Sequence, residues 1–219
     1  MLREYAAYRM YNELTPRSFR AKLADIDYLD PGGRRIASQA GFFLESLDDV
    51  AQRNGMNRVR AHDRIPLAYL SPGDAARYAL FQHMIGNHDW SMRAGPAGDD
   101  CCHNAELIGA AAPGQAIPVP YDFDYSGFVD TSYALPPEEL QIATVRERYY
   151  RGYCAHNSYA VTAASEFRAK RPQMMAALAQ VPGIDPRSVS RATAYVDGFF
   201  ADIADDAAVN SKLLKRCAS

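Results

Sequence analysis

Three short polar motifs alternate with apolar segments of the chain between Gly86 and Gly127. They read GNHDW, HN and PYDFDYSG, in that order. The first directly follows a helical pattern that ends at Ile85, and the other two flank the segments Ala105–Ile108 and Ile117–Tyr121, which read as strands. The fold therefore has to place acidic, amide and imidazole side chains on loops at the ends of regular elements.

The chain before these motifs predicts a helix, a β-hairpin and a second, short helix. Apolar residues recur near the 3.6 period over Glu4–Leu14, and a Thr-Pro pair ends this helix. The segments Phe19–Leu29 and Ile36–Glu45 read as two strands around an Asp-Pro-Gly-Gly turn. Ser46 and the acidic residues after it predict the capped start of the next helix.

The chain after Pro136 has a mostly helical pattern. No repeat and no linker divides the 219 residues, so we expect a single α+β domain. The helices predicted in this part are Pro137–Arg148, Tyr159–Lys170, Pro172–Gln180 and Pro186–Ala204, the last of them capped by Asp185 or Ser188.

The composition is that of an ordinary globular protein. Apolar residues make up 48% of the chain and charged residues 23%, and the formal net charge is −2. A nucleic-acid partner is not expected, because no basic surface is indicated. No apolar run is long enough to cross a bilayer, and the N-terminal segment lacks the apolar core of a signal peptide. We expect a soluble protein, and the sequence leaves a cytoplasmic and an exported location open.

The four cysteines give little support to a structural zinc site. They are Cys101, Cys102, Cys154 and Cys217, and no two of them form a CxxC pair. We expect the adjacent Cys101 and Cys102 not to bond each other, whereas a bridge from one of them to Cys154 stays open. Free thiols in a reducing compartment are the favoured interpretation.

The polar motifs carry the ligand types that Mg²⁺ prefers. Asp89 lies in the first motif, Asn104 in the second, and Asp122 and Asp124 in the third. Magnesium binds hard oxygen atoms, typically those of one or two carboxylates together with phosphate oxygens. A further carboxylate close to an acceptor hydroxyl would meet the needs of phosphoryl transfer. Surface turns use the same residue types freely, so the order of the motifs carries this inference.

The order of the elements resembles that of protein-kinase-like folds. A helix with an early glutamate is followed by a hairpin, two helices, an Asp-bearing loop, two strands and an Asp-Phe-Asp turn. The chain is especially similar to bacterial CotH-related proteins of the CotH-type atypical kinase family, which carry an EYLAYRLYN-like helix, a TDWS-like loop and a VPYDFDYSG-like turn. A looser likeness extends to HipA-type toxin kinases. The resemblance covers the chain from Glu4 to about Cys154.

The resemblance implies one α+β kinase-like domain over residues 1–219. Residues 1–45 would be a remnant of the N-terminal lobe, with an αC-like helix and a hairpin, and residues 46–219 would be the helical C-terminal lobe. ATP and Mg²⁺ would be the cofactors. The acceptor hydroxyl would belong to a protein or to a small molecule, and the sequence does not indicate which.

The same resemblance assigns roles to the residues of the polar motifs. Asp89 would orient or deprotonate the acceptor hydroxyl. Asn104 and Asp122 would bind the metal ion. Asp124 would be either a second metal ligand or a structural acid.

Three residues of the N-terminal part would serve the nucleotide. Glu4 would be the helix glutamate that pairs with a phosphate-gripping lysine. Glu45 and Leu47 would lie at the hinge, where backbone groups usually bind adenine. The Gly-rich loop and the strand lysine of kinases would precede Glu4, and Lys22 lies on the wrong side of the helix. We therefore favour the explanation that the N-terminal part of a kinase domain is missing from this chain; completion of the site by another chain and loss of catalysis stay open.

Three functional hypotheses follow. The leading one is Mg-ATP-dependent phosphoryl transfer. The first alternative is a nucleotide-binding pseudokinase or interaction module, which the missing lysine favours, and the second is a metal-dependent hydrolase that uses His88, Asp89, His103 and Asp122. Among single residues, we expect His88 to bond to backbone, His103 to lie in a solvent-facing loop, and Trp90 to pack beneath the GNHDW loop.

Overall fold

The computed structural model describes residues 1–218, and these residues form an α+β fold with six α-helices and two small antiparallel sheets. Within them, no helix is long and apolar enough to span a membrane. The helices are α1 (Leu2–Leu14), α2 (Leu47–Arg53), α3 (Pro72–Ile85), α4 (Asn157–Ala179), α5 (Pro186–Asp202) and α6 (Asp206–Ala208). The strands are β1 (Ala21–Leu29), β2 (Arg35–Leu44), β3 (Asn57–Arg58), β4 (Ala105–Gly109) and β5 (Ala116–Pro120).

The first 45 residues form the predicted helix and hairpin. β1 and β2 pair antiparallel as a separate two-stranded sheet. At their turn the Asp30 carboxylate accepts hydrogen bonds from the Gly32 and Arg34 amides, at 3.0 and 2.9 Å. Phe42 of β2 packs on Tyr8 of α1, with ring centroids 5.5 Å apart. These contacts fix the hairpin against α1.

Helix α3 lies at the centre of the hydrophobic core. Its side chains are buried along most of its length; α4, α5 and β5 pack against it, and α1 contacts it through an aromatic side chain. Phe81 of α3 meets the rings of Tyr11 and Phe123 at centroid distances of 4.6 and 5.5 Å. The GNHDW loop therefore begins at the end of a buried helix.

The second sheet lies beside α3 and has the order β3-β4-β5. All five residues of β5 are buried. The two proline residues of β5 are accommodated because β5 is an edge strand of this sheet. The HN motif precedes β4 and the PYDFDYSG motif follows β5, so both loops meet at one end of the sheet.

One predicted helix does not form. The segment Pro137–Arg148 contains only a short 3-10 turn, Glu138–Leu140, and is otherwise irregular. Val145 is the only buried residue of this segment, so a helix here would have no apolar face to bury.

Two other predicted helices join into one. Tyr159–Lys170 and Pro172–Gln180 both belong to α4, which contains Pro172 in its interior. The buried face of α4 continues across the proline and packs on α1 and α3. This packing outweighs the ~3 kcal/mol that an internal proline costs a helix. The next helix, α5, is capped by the Asp185 side chain, which is one of the two residues that the sequence predicted as its cap.

The prediction of free thiols, with no bond between Cys101 and Cys102, is wrong. Cys154 forms a disulfide with Cys217, and Cys101 forms one with the adjacent Cys102, so residues 1–218 contain no free thiol. The C-terminal segment returns beside Cys154, whose amide donates to the Ala218 carbonyl at 2.8 Å. The pairing of Cys154 with Cys217 therefore depends on where the C-terminal segment packs.

Candidate functional site

Asp89 lies in a turn that several contacts hold in place. α3 ends at Gly86, whose φ of 62° is left-handed, and a Cβ at this position would collide with the Tyr195 hydroxyl. The Asn87 side chain accepts a hydrogen bond from the Asp89 amide at 3.0 Å. Buried Trp90 donates its indole N–H to the Asn87 carbonyl at 3.0 Å. Trp90 is thus the packing anchor that the sequence predicts.

The HN motif holds the Asp89 carboxylate. His103 Nε2–H donates to Asp89 Oδ1 at 2.6 Å, and the Asn104 amide donates to Asp89 Oδ2 at 3.1 Å. Asn104 also donates to the Asp89 carbonyl at 2.8 Å. Ser91 and His103 exchange two backbone hydrogen bonds, which join the two loops. The Asp89 side chain is still 39% exposed, so it is both oriented and accessible.

The contact with Asp89 corrects the expectation for His103. We expected a solvent-facing loop, but the imidazole is half-buried and bonds to the carboxylate. The one sequence feature that could have indicated this contact is the position of His103 next to Asn104. Because the two residues lie on one turn before β4, both can reach the same partner.

Two site residues have left-handed backbone conformations. The φ angle is 49° at Asn104 and 57° at Asp122. This region costs most residues about 1–2 kcal/mol, and Asn and Asp tolerate it best among non-glycine residues. The Asp122 amide donates to the Tyr8 hydroxyl at 2.8 Å, and the Tyr78 hydroxyl donates to the Asn104 carbonyl at 3.1 Å. Buried tyrosines of α1 and α3 thus stabilise both turns.

Asp122 is surrounded by other carboxylates. Its pKa is raised to about 6, first because protein atoms displace water from the group and then because of the negative charge of Asp124, with Asp89 adding to the effect. The residue is nevertheless exposed to solvent. Within residues 1–218, no Lys or Arg forms an ion pair with Asp122 or Asp124.

Glu4 of α1 belongs to the same acidic cluster. Its pKa is raised to about 7, mainly by burial; the N-terminal amino group opposes this rise, and the charges of Asp122 and Asp124 add to it. The structure therefore brings together five of the seven predicted site residues. They are Glu4, Asp89, Asn104, Asp122 and Asp124.

Tyr133 also contacts this cluster, although no sequence pattern indicated that it would. Its hydroxyl donates to Asp124 Oδ2 at 2.8 Å, and this hydrogen bond raises the pKa of Tyr133. The ring of Tyr133 packs on Tyr125, with centroids 5.6 Å apart. The Thr131 hydroxyl donates to the Asp124 carbonyl at 3.0 Å. The segment after PYDFDYSG thus folds back over Asp124.

The two residues expected at the hinge already have other partners. The Glu45 carboxylate pairs with Arg53 at 2.8 Å, and the Glu45 amide donates to the Arg20 carbonyl at 2.9 Å. Partial burial favours the neutral form of Glu45, but hydrogen bonds from Arg53 and from the Arg20 amide lower its pKa overall. Leu47 is buried in the core. Their part in an adenine site stays a prediction.

His88 lies apart from the acidic cluster. Its Nε2–H donates to the Glu147 carbonyl at 2.8 Å, and burial lowers its pKa. The expectation of a backbone partner is confirmed, whereas the alternative of a metal-dependent hydrolase that uses His88 stays a prediction. Throughout the part of the chain that the structure describes, no three His, Cys, Asp or Glu side chains are grouped so that they could hold a metal ion.

The raised pKa values of Glu4 and Asp122 predict that the protein loses stability as the pH rises. In the folded state these groups keep their protons up to about pH 7 and about pH 6. The unfolded chain releases them nearer pH 4, so the folded state binds more protons between about pH 4 and 7. The free energy of unfolding then falls as the pH increases through this range, and each ~1 kcal/mol lowers the melting temperature by about 2–4 °C.

Thermal melts of the parent and Glu4→Gln at about pH 5 and about pH 7.5 test this prediction. Glu4→Gln keeps the size of the side chain without its charge. The melting temperature of this variant should therefore fall less between the two pH values than that of the parent. Glu13→Gln on the same helix is the matched control, and it should retain the decrease. Identical pH profiles for all three proteins would show that Glu4 does not titrate in the way that its burial implies.

Comparisons with protein-family models, with curated proteins and with solved structures found no match to this chain. The α+β architecture and the acidic cluster are features of the structure itself. The kinase-like identity stays a prediction that depends on the motifs and on their order.

Proposed function

We propose that this protein transfers a phosphoryl group from Mg-ATP to a hydroxyl group of a protein or a small molecule. The observation that carries the proposal is that carboxylates from α1, from the loop after α3 and from the loop after β5 form one solvent-accessible cluster. Burial is the main cause of the raised pKa values of Glu4 and Asp122, and mutual repulsion adds to it; a divalent cation would offset that repulsion.

The donor chemistry of the cluster fits Mg²⁺. Asp122 and Asp124 supply hard carboxylate oxygens, and Asn104 adds an amide group on the neighbouring turn. Magnesium commonly takes only one or two carboxylates and completes its coordination with water and phosphate oxygens, so a cage of three acidic ligands is not required. When bound, the ion would neutralise negative charge on the phosphates.

Asp89 is suited to act on the acceptor hydroxyl. His103 and Asn104 each hold one of its carboxylate oxygens, so the remaining lone pairs have a defined direction. A hydroxyl group that approaches the exposed side of Asp89 would be oriented there and would give up its proton to the carboxylate. His103 and Asn104 are positioning residues in this scheme.

A nucleotide-binding pseudokinase is the second candidate. In kinases, the residue at the position of Glu4 pairs with a lysine that grips the phosphates. In the described chain no lysine forms an ion pair with Glu4, and Lys22 is exposed on β1. A pseudokinase would bind the nucleotide without turnover, so the two candidates differ in a measurable property.

The proposal is tested by nucleotide binding and turnover in Asp122→Ala. We expect the parent to bind ATP in a Mg²⁺-dependent way and to form ADP. Removing one carboxylate from the cation should weaken this binding at least about tenfold, which calorimetry measures. Asp99→Ala removes an exposed acid from a loop outside the cluster and serves as the matched control.

The possible results separate the candidates. If Asp122→Ala binds nucleotide and forms ADP as well as the parent does, the assignment fails. If the parent binds nucleotide but forms no ADP, the pseudokinase is favoured. Asp122→Ala removes a charge that its neighbours repel but places alanine at a left-handed φ of 57°, which costs about 1–2 kcal/mol, so a thermal melt verifies that the variant is folded.

A further inference from the structure

A separate cavity of about 430 Å³ lies between α3, the segment after Val145 and the C-terminal turns. None of the residues that line it belongs to the acidic cluster. Its lining is rich in positive charge, with a single carboxylate. The cationic residues are Arg148, Lys212, Lys215 and Arg216, and the acidic one is Asp202.

His83 of α3 lines this cavity and has no protein partner. Its side chain is only 6% exposed, and neither ring nitrogen makes a hydrogen bond within the described chain. The Tyr149 backbone lies close enough to influence the ring but does not meet hydrogen-bond geometry. Tyr150 and Phe199 face the ring edge-on, with centroids 5.8 and 6.1 Å away. A polar group buried to this degree normally has a partner.

The imidazole of His83 is neutral at physiological pH. Burial, helped by the positive charge of Arg148, lowers its pKa to about 3. The neutral ring has one N–H donor and one lone pair, and neither is used by the protein. A ligand with an acceptor oxygen could therefore bond to His83 without a change in its protonation.

The cations around His83 are only partly compensated. Arg148 is held rigidly, since its Nε donates to the Met84 carbonyl at 3.1 Å and its guanidinium stacks 3.9 Å from the Tyr195 ring centroid. Lys212 lies 3.4 Å from the Asp202 carboxylate. Three of the four cations, all except Lys212, form no ion pair with a carboxylate within residues 1–218.

We propose that this cavity binds a small phosphorylated molecule, with its phosphate group between His83, Arg148 and the exposed pair Lys215 and Arg216. A phosphate accepts hydrogen bonds from a neutral imidazole N–H and from cationic donors. The volume lies in the range of small-molecule sites. The Cys154–Cys217 disulfide anchors the C-terminal turns that carry the exposed cations. The site is independent of the proposed phosphoryl transfer.

Binding of inorganic phosphate to the whole chain tests this proposal. We expect saturable binding by calorimetry at constant ionic strength and without Mg²⁺, conditions under which the acidic cluster repels the anion. The double variant Lys215→Ala/Arg216→Ala should bind phosphate at least about tenfold more weakly. Arg34→Ala/Arg35→Ala in the hairpin turn removes the same number of exposed charges and should bind like the parent.

A second measurement reports on His83 itself. Phosphate should shift the ring ¹⁵N resonances of His83. The chain has five histidines, and the resonances that disappear in His83→Gln are those of His83. Three results would each overturn the proposal. These are the absence of saturable binding, an equal loss of affinity in both double variants, and unchanged His83 resonances at saturating phosphate.

Discussion

Replacing Asp89 with asparagine should lower the rate of Mg-ATP turnover by ~10²–10⁴-fold and leave Mg²⁺-dependent nucleotide affinity nearly unchanged. The substitution keeps the size of the side chain, and its remaining carbonyl oxygen can still accept a hydrogen bond from His103 or Asn104. It removes the basic carboxylate that would accept the proton of the acceptor hydroxyl. The loss should therefore appear in kcat rather than in binding.

Initial rates of ADP formation at several ATP concentrations separate an effect on kcat from an effect on nucleotide binding. Asp130→Asn is the matched control, because Asp130 lies on the segment after the PYDFDYSG motif and pairs with Arg146 instead of the cluster. His103→Gln should lower kcat less than Asp89→Asn does, since Asn104 would still hold the carboxylate. Turnover by Asp89→Asn at the parental rate would remove Asp89 from the mechanism.

Removing the Cys154–Cys217 disulfide should lower the free energy of unfolding by about 4 kcal/mol. The two cysteines are 63 residues apart, so the bond closes a long loop and restricts the unfolded chain strongly. The measurement is denaturation of Cys154→Ser/Cys217→Ser by urea, with the midpoint and the slope determined separately.

The second cysteine pair provides an internal control for this prediction. Cys101 and Cys102 are adjacent, so their bond closes no loop of the chain. Cys101→Ser/Cys102→Ser should therefore lose much less stability through the unfolded state. Equal losses in the two double variants would contradict loop closure as the source of the stabilisation.

Elements with local signals were predictable from the sequence. The hairpin forms around Asp30, whose carboxylate bonds to amides of its own turn. Ser46 caps α2 by accepting the Asp49 amide, and Gly86 ends α3 in a left-handed conformation. Each of these signals acts over a few residues, so the rest of the fold does not have to be known.

Elements that depend on distant packing were not predictable in the same way. A helical pattern over Pro137–Arg148 does not form a helix, because the segment has almost nothing to bury. The helix α4 continues through Pro172 because α1 and α3 cover its apolar face. Cys154 pairs with Cys217 because the end of the chain returns beside it. In all three cases a partner far away in sequence decides the outcome.

The motifs alone were enough to name most of the polar side chains that meet at the candidate site. Asp89, Asn104 and Asp122 could be named from three motifs that lie between helical and strand patterns. The packing of distant segments brings Glu4 close to Asp122 and Asp124, and it places His103 and Tyr133 in contact with the carboxylates. A motif reflects only the chemistry of neighbouring residues, whereas the distances between charges depend on how remote segments pack around α3. The burial that raises the pKa values of Glu4 and Asp122 depends on the same packing.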